Sequence, residues 1–175
     1  MIRAKFLLAI LSVLSFYSVL AQDAPPSRPS PTAITSARYK DTYVKITYCQ
    51  PRKRGREVYG KLVPFGEVWR TGANEATEIE FYQNVKINNV KIKKGRYTLY
   101  CIPYIDKWTF ILNKETDTWG SFKYDSKKDI VRMDVPVQKQ TEITEEFVMA
   151  FEKSATGANL IVAWEDVKVN LPIIF

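Results

Sequence analysis

The feature that most constrains the fold is a two-residue alternation of apolar and polar side chains, which recurs from Tyr43 almost to the end of the 175-residue chain. Successive side chains of a β-strand point to opposite faces of a sheet, so this period is typical of strands with one buried face. The predicted strands are Tyr43 to Cys49, Thr77 to Gln83, Val85 to Ile87, Val90 to Ile92, Tyr97 to Ile102, Lys107 to Asn113, Asp129 to Val137, Glu146 to Glu152 and Asn159 to Leu171, the last broken near Glu165.

Short turn sequences separate these strands, for example Asn88-Asn89, Lys94-Gly95 and Thr156-Gly157. No window shows an extended apolar period of 3.6 residues with a cap at both ends, so at most one short helix is expected, around Thr116 to Phe122. The pattern predicts an all-β fold, either an antiparallel β-sandwich or a jelly-roll-like barrel, with about nine or ten short strands.

Residues 1–21 have the three-part pattern of a secretory signal peptide. Arg3 and Lys5 precede an uncharged run, and small or apolar residues lead to Ala21. The run is shorter than the roughly 20 apolar residues of a spanning helix, so we expect cleavage after Ala21. An N-terminal anchor that is not cleaved is the alternative.

The mature chain is then expected to begin with residues 22–36, where several prolines among small polar residues predict an extended leader without helix or sheet. Residues 37–175 are predicted to form a single domain with room for a proper core. No later segment is apolar enough over a sufficient length to span a membrane. The predicted location is the periplasm or the cell exterior.

The composition excludes several kinds of chemistry. The chain contains no histidine, so neither a Ser-His-Asp nor a Cys-His catalytic group can be built from it. Two cysteines without histidine make a zinc site improbable, and no Asp-x-Asp-x-Asp loop offers a calcium site. The 26 Lys and Arg residues against 19 Asp and Glu residues are a mild excess, which is no signature of nucleic-acid binding. We expect no cofactor, no metal and no nucleic-acid partner.

The densest group of hydrogen-bonding side chains lies between Trp69 and Thr77, and its candidate ligand-binding residues are Trp69, Arg70, Thr71, Asn74, Glu75 and Thr77. Arg70 would offer a guanidinium fork to a carboxylate, a phosphate or a sugar hydroxyl, and Trp69 would provide a platform. The alternative is structural: a buried Arg70 pins the loop by bonding carbonyls or an acid such as Glu75 or Glu165, while Trp69 fills the core.

A second candidate segment runs from Trp119 to Asp125 and adds Lys123, Tyr124 and Asp125 to the candidate ligand-binding residues. Aromatic rings with a few polar groups are typical of ligand sites, although most of the four tryptophans could equally belong to the core. The cationic run Arg52 to Arg56 would bind an anionic polymer or form a solvated loop.

Carboxylates are the remaining candidates for acid-base catalysis. The best pairs are Glu75 with Asp125 and Glu75 with Glu165, which would act as the two carboxylates of a glycosidase-like site. Nothing in their spacing requires that they meet.

Cys49 and Cys101 could form a disulfide in an exported protein. The alternation places Cys49 with Lys45 and Thr47, however, and Cys101 with apolar neighbours on the inner face. A bridge requires facing side chains on Cα atoms within about 7 Å of each other, so both states stay open.

Several short motifs stand out together: Gly55-Arg56, Leu62-Val63-Pro64, the run Val68 to Thr77, Gly95, Trp119-Gly120 with Lys123-Tyr124-Asp125, and Trp164-Glu165. They resemble a bacterial exported family catalogued as domain of unknown function 2911, over about residues 37 to 173. The resemblance implies an all-β fold and a place in the bacterial envelope or exterior, and it implies no activity. The chain departs from the family pattern at Cys49 and Cys101, where glycine and a hydroxyl residue are more usual, and this departure favours the disulfide.

These features favour a non-catalytic exported β-sandwich that binds a polar or anionic small molecule, glycan or peptide through the Trp69 to Thr77 loop. The first alternative is a carboxylate-dependent hydrolase acting on glycans, and the second is a structural envelope protein without a small ligand. Convergence of Arg70, Asn74 and Glu75 on an open pocket would favour binding, whereas internal pairing of all their polar atoms would favour the structural role.

Overall fold

A computed structural model describes residues 27–175, and almost all of its regular structure is antiparallel β-sheet. The signal peptide expected at residues 1–21, and the beginning of the expected leader, lie outside the described residues. The strands are β1 Thr32–Tyr39, β2 Thr42–Cys49, β3 Glu78–Phe81, β4 Val85–Ile87, β5 Val90–Ile92, β6 Gly95–Pro103, β7 Lys107–Asn113, β8 Asp129–Ser154 and β9 Gly157–Ile174. No helix in this part of the chain is long and apolar enough to cross a membrane.

One long strand turns a single sheet into two packed layers. The strand order is β1-β2-β3-β6-β7-β8-β9-β4-β5, and β8 pairs with β7 up to Pro136 and with β9 from Val137 onward. Register shifts on either side of Thr144 mark where β8 departs from regular pairing with β9. Side chains of both layers meet in one core, where Tyr48 of β2 packs edge-on against Phe147 of β8 at 5.8 Å.

The predicted all-β antiparallel sandwich is confirmed, and the sheet is not closed into a barrel. The predicted bounds of β4, β5 and β7 agree with the structure. The two strands predicted at Asp129 to Val137 and Glu146 to Glu152 are parts of β8, because the bulges disturb the alternation between them without ending the strand. The predicted break near Glu165 is a bulge at which this residue has a φ of 55°.

Two sequence predictions need correction. Strand β1 begins at Thr32, inside the leader predicted for residues 22–36, and pairs with β2 along its whole length. As an edge strand it buries only small side chains such as Ala33 and Ala37 against the core, so its apolar pattern is weak. No helix forms at Thr116 to Phe122, and the only helical turn among residues 27–175 is the 3-10 helix Ser126–Lys128.

Candidate functional site

Both ends of the Trp69 to Thr77 loop are fixed to β6. Trp69 exchanges two backbone hydrogen bonds with Cys101, at 2.7 and 3.0 Å, and the Leu99 amide donates to the Thr77 carbonyl at 2.8 Å. Between these anchors Thr71 and Asn74 have positive φ values of 52° and 54°, which fold the chain into a tight loop. The loop is therefore held in one place relative to the sheet.

Trp69 belongs mainly to the core. Its ring stacks on Trp164 at 6.0 Å and contacts Trp108 and Phe147 edge-on. Its indole N–H donates to the Gly72 carbonyl at 3.0 Å, so its polar atom is used within the loop. The structure thus favours the structural alternative for this tryptophan, although Trp69 also lines a cavity.

Thr71 and Thr77 close the loop from inside. Both are fully buried, and the Thr77 hydroxyl donates to the Thr71 carbonyl at 2.6 Å. The Thr71 hydroxyl donates to the Trp69 carbonyl at 3.4 Å. Neither hydroxyl lines a described cavity, so these two predicted site residues have a structural role.

Asn74 and Glu75 hold the segment that precedes β1. The Asn74 amide donates to the Ser30 carbonyl at 3.2 Å, and Arg28 donates from Nη1 to both carboxylate oxygens of Glu75 at 2.7 and 2.8 Å. The Cys49 thiol adds a third donor to Glu75 at 3.3 Å. The hydrogen bonds from Arg28 lower the pKa of Glu75 below its usual value. A part of the expected leader therefore occupies the groups that were predicted to bind a ligand.

Arg70 is the exception in the loop. It is partly buried, its Nε atom is buried without a hydrogen-bond partner, and its guanidinium has no ion pair among residues 27–175. Burial lowers the pKa of this guanidinium, which reflects the cost of holding a charge away from water. Gly120 lies beside it at a φ of 65°, which favours glycine, and a Cβ there would meet the Phe122 ring at 2.7 Å and Nη1 of Arg70 at 3.3 Å.

Arg70 faces a cavity of about 420 Å³ whose walls combine polar and apolar side chains. Its polar lining residues are Ser30, Arg56, Glu67, Arg70, Asn74 and Ser121, and its larger apolar ones are Pro51, Leu62, Val63, Pro64, Val68, Trp69 and Trp164. Within residues 27–175, Arg56 donates only to backbone carbonyls, those of Lys53 and Arg52 at 2.8 and 2.7 Å. Carbonyls do not neutralise its charge, so two guanidinium groups without an ion pair among residues 27–175 share this cavity with the single carboxylate of Glu67.

Arg52 and Lys53 pair with acids of β8 and β9, whereas the Arg54 guanidinium donates to the Pro29 carbonyl at 3.1 Å. Arg52 pairs with Glu146, and Lys53 pairs with Glu165 at 3.2 Å. The Arg54 amide donates to Glu145 at 2.7 Å. The run therefore ties a loop to the sheet, and only its last member joins Arg70. Sequence reasoning missed Arg56 as a site residue, although the Gly55-Arg56 motif could have singled it out.

On the other side of the loop lies an acidic cleft of about 340 Å³ that contains Glu75, Glu78, Asp117 and Trp119. Its carboxylates are paired: Glu75 with Arg28 at 2.7 Å, Glu78 with Arg96 at 3.3 Å, and Asp117 with the same Arg96. The exposed Trp119 forms part of its wall. The cleft has the aromatic and carboxylate groups expected of a sugar site, but its acids already have cationic partners.

Only the first half of the Trp119 to Asp125 segment meets the loop, through a Gly120 amide that donates to the Asn74 carbonyl at 3.1 Å. Lys123 is exposed, and Asp125 caps the 3-10 helix by accepting from the Lys127 amide at 3.0 Å. Tyr124 donates to Asp129 at 2.6 Å, and burial raises the pKa of its hydroxyl to about 12. The predicted site residues Lys123, Tyr124 and Asp125 are thus not assembled with Arg70.

The two cysteines are free thiols, so of the two states that the sequence left open the bridge between Cys49 and Cys101 is not the one formed. Cys101 lies in the main core between the layers, and burial raises the pKa of its thiol. Cys49 follows Tyr48, whose ring lies in that core, so its side chain points to the outer face and reaches Glu75. Side chains on opposite faces of a sheet cannot bridge.

The carboxylate pairs proposed for catalysis are separated. Glu75 lies in the acidic cleft, Asp125 caps a helix, and Glu165 lies in another cavity and accepts from the Val58 amide at 3.1 Å. Among residues 27–175 there is also no group of three His, Cys, Asp or Glu side chains that could hold a metal ion.

The fold and these cavities define a small antiparallel β-sandwich with a polar loop between a basic cavity and an acidic cleft. A family model described as Protein of unknown function (DUF2911) matches residues 30–173, and the chain belongs to that family. Neither the comparison with curated proteins nor the comparison with solved structures gives a match.

Proposed function

We propose that this chain is an exported, non-catalytic binding domain that takes up a small organic anion with an apolar body in the Arg70 cavity. The observation that carries the proposal is the partly buried Arg70 guanidinium, which has no acidic partner among residues 27–175 and faces a cavity of about 420 Å³. Ligand cavities are commonly of this size, with apolar walls and a few convergent polar groups.

The energetics support an anion as the occupant. Removing a charged group from water without a partner is unfavourable, and a bound carboxylate or phosphate would supply the missing partner. The planar guanidinium suits such groups because it can donate two parallel hydrogen bonds to them. Arg56, which is bonded only to carbonyls, would add a second cation at the same cavity.

The other loop residues indicate a ligand site with fewer residues than the sequence predicted. Asn74 and Glu75 bind the segment before β1, and Thr71 and Thr77 bond within the loop. The structural alternative thus describes these four residues well, and Arg70 is left as the ligand-binding group. A glycan hydrolase is less favoured because Glu75, Asp125 and Glu165 face different surroundings.

A titration tests the anion site. Trp69 and Trp164 line the cavity, so hexanoate binding should change the tryptophan fluorescence, whereas the isosteric neutral hexanamide should bind much more weakly. Arg70→Met should weaken hexanoate binding by about 10- to 100-fold, because a charge-assisted hydrogen bond contributes about 1.5 to 3 kcal/mol. The matched control is Lys123→Met, since Lys123 is exposed and does not line this cavity. Equal affinity for hexanoate and hexanamide, or for wild type and Arg70→Met, would refute the proposal.

Export is a separate part of the proposal and rests on the signal pattern of residues 1–21. Intact-mass measurement of protein from the envelope fraction should give a chain that begins at Gln22. A mass that still includes residues 1–21 would contradict cleavage at this position.

A further inference from the structure

The Arg70 cavity contains one carboxylate, that of Glu67, whose charge is not matched within the fold. Glu67 has no ion pair among residues 27–175, although it lines the same cavity as the guanidinium groups of Arg70 and Arg56. The carboxylates on the other side of the loop differ, since Glu75 and Glu78 both pair with arginines. Charges of opposite sign therefore face the Arg70 cavity and lie farther apart than an ion pair allows.

Backbone hydrogen bonds hold the Glu67 side of this cavity in place. The Gly66 amide donates to the Pro103 carbonyl at 2.9 Å, and the Trp69 amide donates to the Cys101 carbonyl at 2.7 Å. Gly66 has a φ of 76°, a conformation that favours glycine and sets the direction of the chain as it enters this segment. Glu67 lies between these two hydrogen bonds, so its backbone is fixed relative to β6.

The guanidinium groups are restricted as well. Arg56 is already bound to the carbonyls of Lys53 and Arg52, and turning it toward Glu67 would break those hydrogen bonds. Arg70 is partly buried beside the loop, and its side chain makes no hydrogen bond among residues 27–175. The opposite charges are thus kept apart without being satisfied, and a ligand that fits between them would bind to groups that are already in position.

This arrangement of charges favours a ligand that carries both signs. A simple carboxylate would satisfy Arg70 but would enter a cavity that also contains the like charge of Glu67. A zwitterion would place its carboxylate on Arg70 and its ammonium group on Glu67, and both contacts would be charge-assisted hydrogen bonds. Its apolar part would contact the aromatic and aliphatic lining residues, which include Trp69, Trp164 and Leu62.

We propose that the Arg70 cavity binds a free α-amino acid with an apolar side chain, and that Glu67 is the residue that recognises its ammonium group. In such a ligand the carboxylate and the ammonium group are attached to one carbon, so the two can reach opposite charges of a small cavity together. The inference rests on the proposed function, because it keeps the carboxylate on Arg70 and adds an ammonium group to the ligand. Glu67 would then distinguish an amino acid from a carboxylate of the same size.

Calorimetric titrations at neutral pH with L-norleucine, hexanoate and L-norleucinamide test the inference. L-Norleucine is hexanoate with an ammonium group on the carbon next to the carboxylate, so this pair isolates the contribution of that group. Wild type should bind L-norleucine about fivefold more tightly than hexanoate in low salt, which is the effect expected of an exposed charge pair. L-Norleucinamide keeps the ammonium group but offers Arg70 no carboxylate, so it should bind much more weakly than L-norleucine.

Glu67→Gln should abolish the preference for L-norleucine, because glutamine has no charge to attract the ammonium group. Its affinity for hexanoate should stay equal or rise slightly, since a like charge is removed. Its melting temperature should match that of wild type, because Glu67 is exposed and has no ion pair among residues 27–175. The matched control is Glu142→Gln, which should keep the preference, since Glu142 is exposed and does not line this cavity.

The outcomes separate this inference from the anion site on which it rests. If wild type bound L-norleucine no more tightly than hexanoate, or if Glu67→Gln kept the preference, Glu67 would not recognise an ammonium group and the anion site would still stand. If neither hexanoate nor L-norleucine bound to wild type, the anion site and this inference would both be overturned.

Discussion

The charged side chains on the two sides of the Trp69 to Thr77 loop differ in whether they have ion-pair partners. On the acidic side, Glu75 and its neighbours Glu78 and Asp117 are all paired with arginines. On the basic side, Arg70 and Arg56 have no carboxylate partner among residues 27–175. The acidic side is therefore complete as an anchor, and the basic side has binding capacity that the described fold does not use.

The largest effect on stability is expected from Gly72→Ala, which would disturb both sides of the loop at once. A Cβ at Gly72 would lie 2.9 Å from the Cys49 carbonyl oxygen, a backbone atom that cannot turn aside. Overpacking of this kind costs about 1 to 3 kcal/mol and sometimes more. Urea unfolding should show a free energy of unfolding reduced by about 3 kcal/mol.

Gly55→Ala is the matched control for that variant. Its Cβ would meet no heavy atom within 4 Å, so only its positive φ of 72° is unfavourable and the cost should be about 1 kcal/mol. Equal losses in the two variants would mean that the loop is not tightly seated on β2.

The second effect distinguishes anchoring from binding at Asn74. Asn74→Ala removes the hydrogen bond to the Ser30 carbonyl and places alanine at a φ of 54°, so we expect a loss of about 1 to 2 kcal/mol. Glycine adopts the positive φ at position 74 without strain, so Asn74→Gly loses only the hydrogen bond. Its loss of stability should therefore be about half that of Asn74→Ala. Unchanged unfolding midpoints in both variants would contradict an anchoring role and return Asn74 to the ligand-binding residues.

Particular strands and turns show how much of the fold can be predicted from the sequence. The alternation predicted β4, β5 and β7, and Asn88-Asn89 predicted a turn in which both residues have positive φ. Local patterns of this kind depend on neighbouring residues and are readable. The contact of Arg28 with Glu75 joins residues 47 positions apart, and no local pattern encodes it.

The candidate site was found only in outline for the same reason. A run of polar residues indicates that many hydrogen bonds are made there, but partners come from distant segments. Arg70 and Asn74 look equally suited to a ligand in the sequence, and only the position of Ser30 and the lack of an ion pair for Arg70 among residues 27–175 separate them.

A smaller effect is expected from acid on the Glu75 side. The pKa of Glu75 is lowered in the folded state, so its contribution is present above the unfolded pKa, roughly 4, and is lost as the pH falls through the folded pKa. Arg28 and Glu75 are both well exposed, so screening by solvent keeps the contribution small.

Melting temperatures should therefore show Glu75→Gln slightly below wild type at pH 7, with a difference that shrinks as the pH falls below about 4. The control is Glu142→Gln, since Glu142 is exposed and has no ion pair among residues 27–175. A difference that persists unchanged at pH 3 would mean that Glu75 acts through packing and not through its charge.

The smallest effect on stability should come from the residue with the largest expected effect on binding. Arg70→Met removes no described hydrogen bond or ion pair and relieves the burial of a charge, so the free energy of unfolding should stay unchanged or rise slightly. Arg132→Met is the contrasting control, because Arg132 donates to Asp129 and Tyr124 at 2.9 and 2.6 Å and its loss should be measurable. If Arg70→Met instead lost as much stability as Asn74→Ala, Arg70 would be a structural pin and both sides of the loop would be anchors.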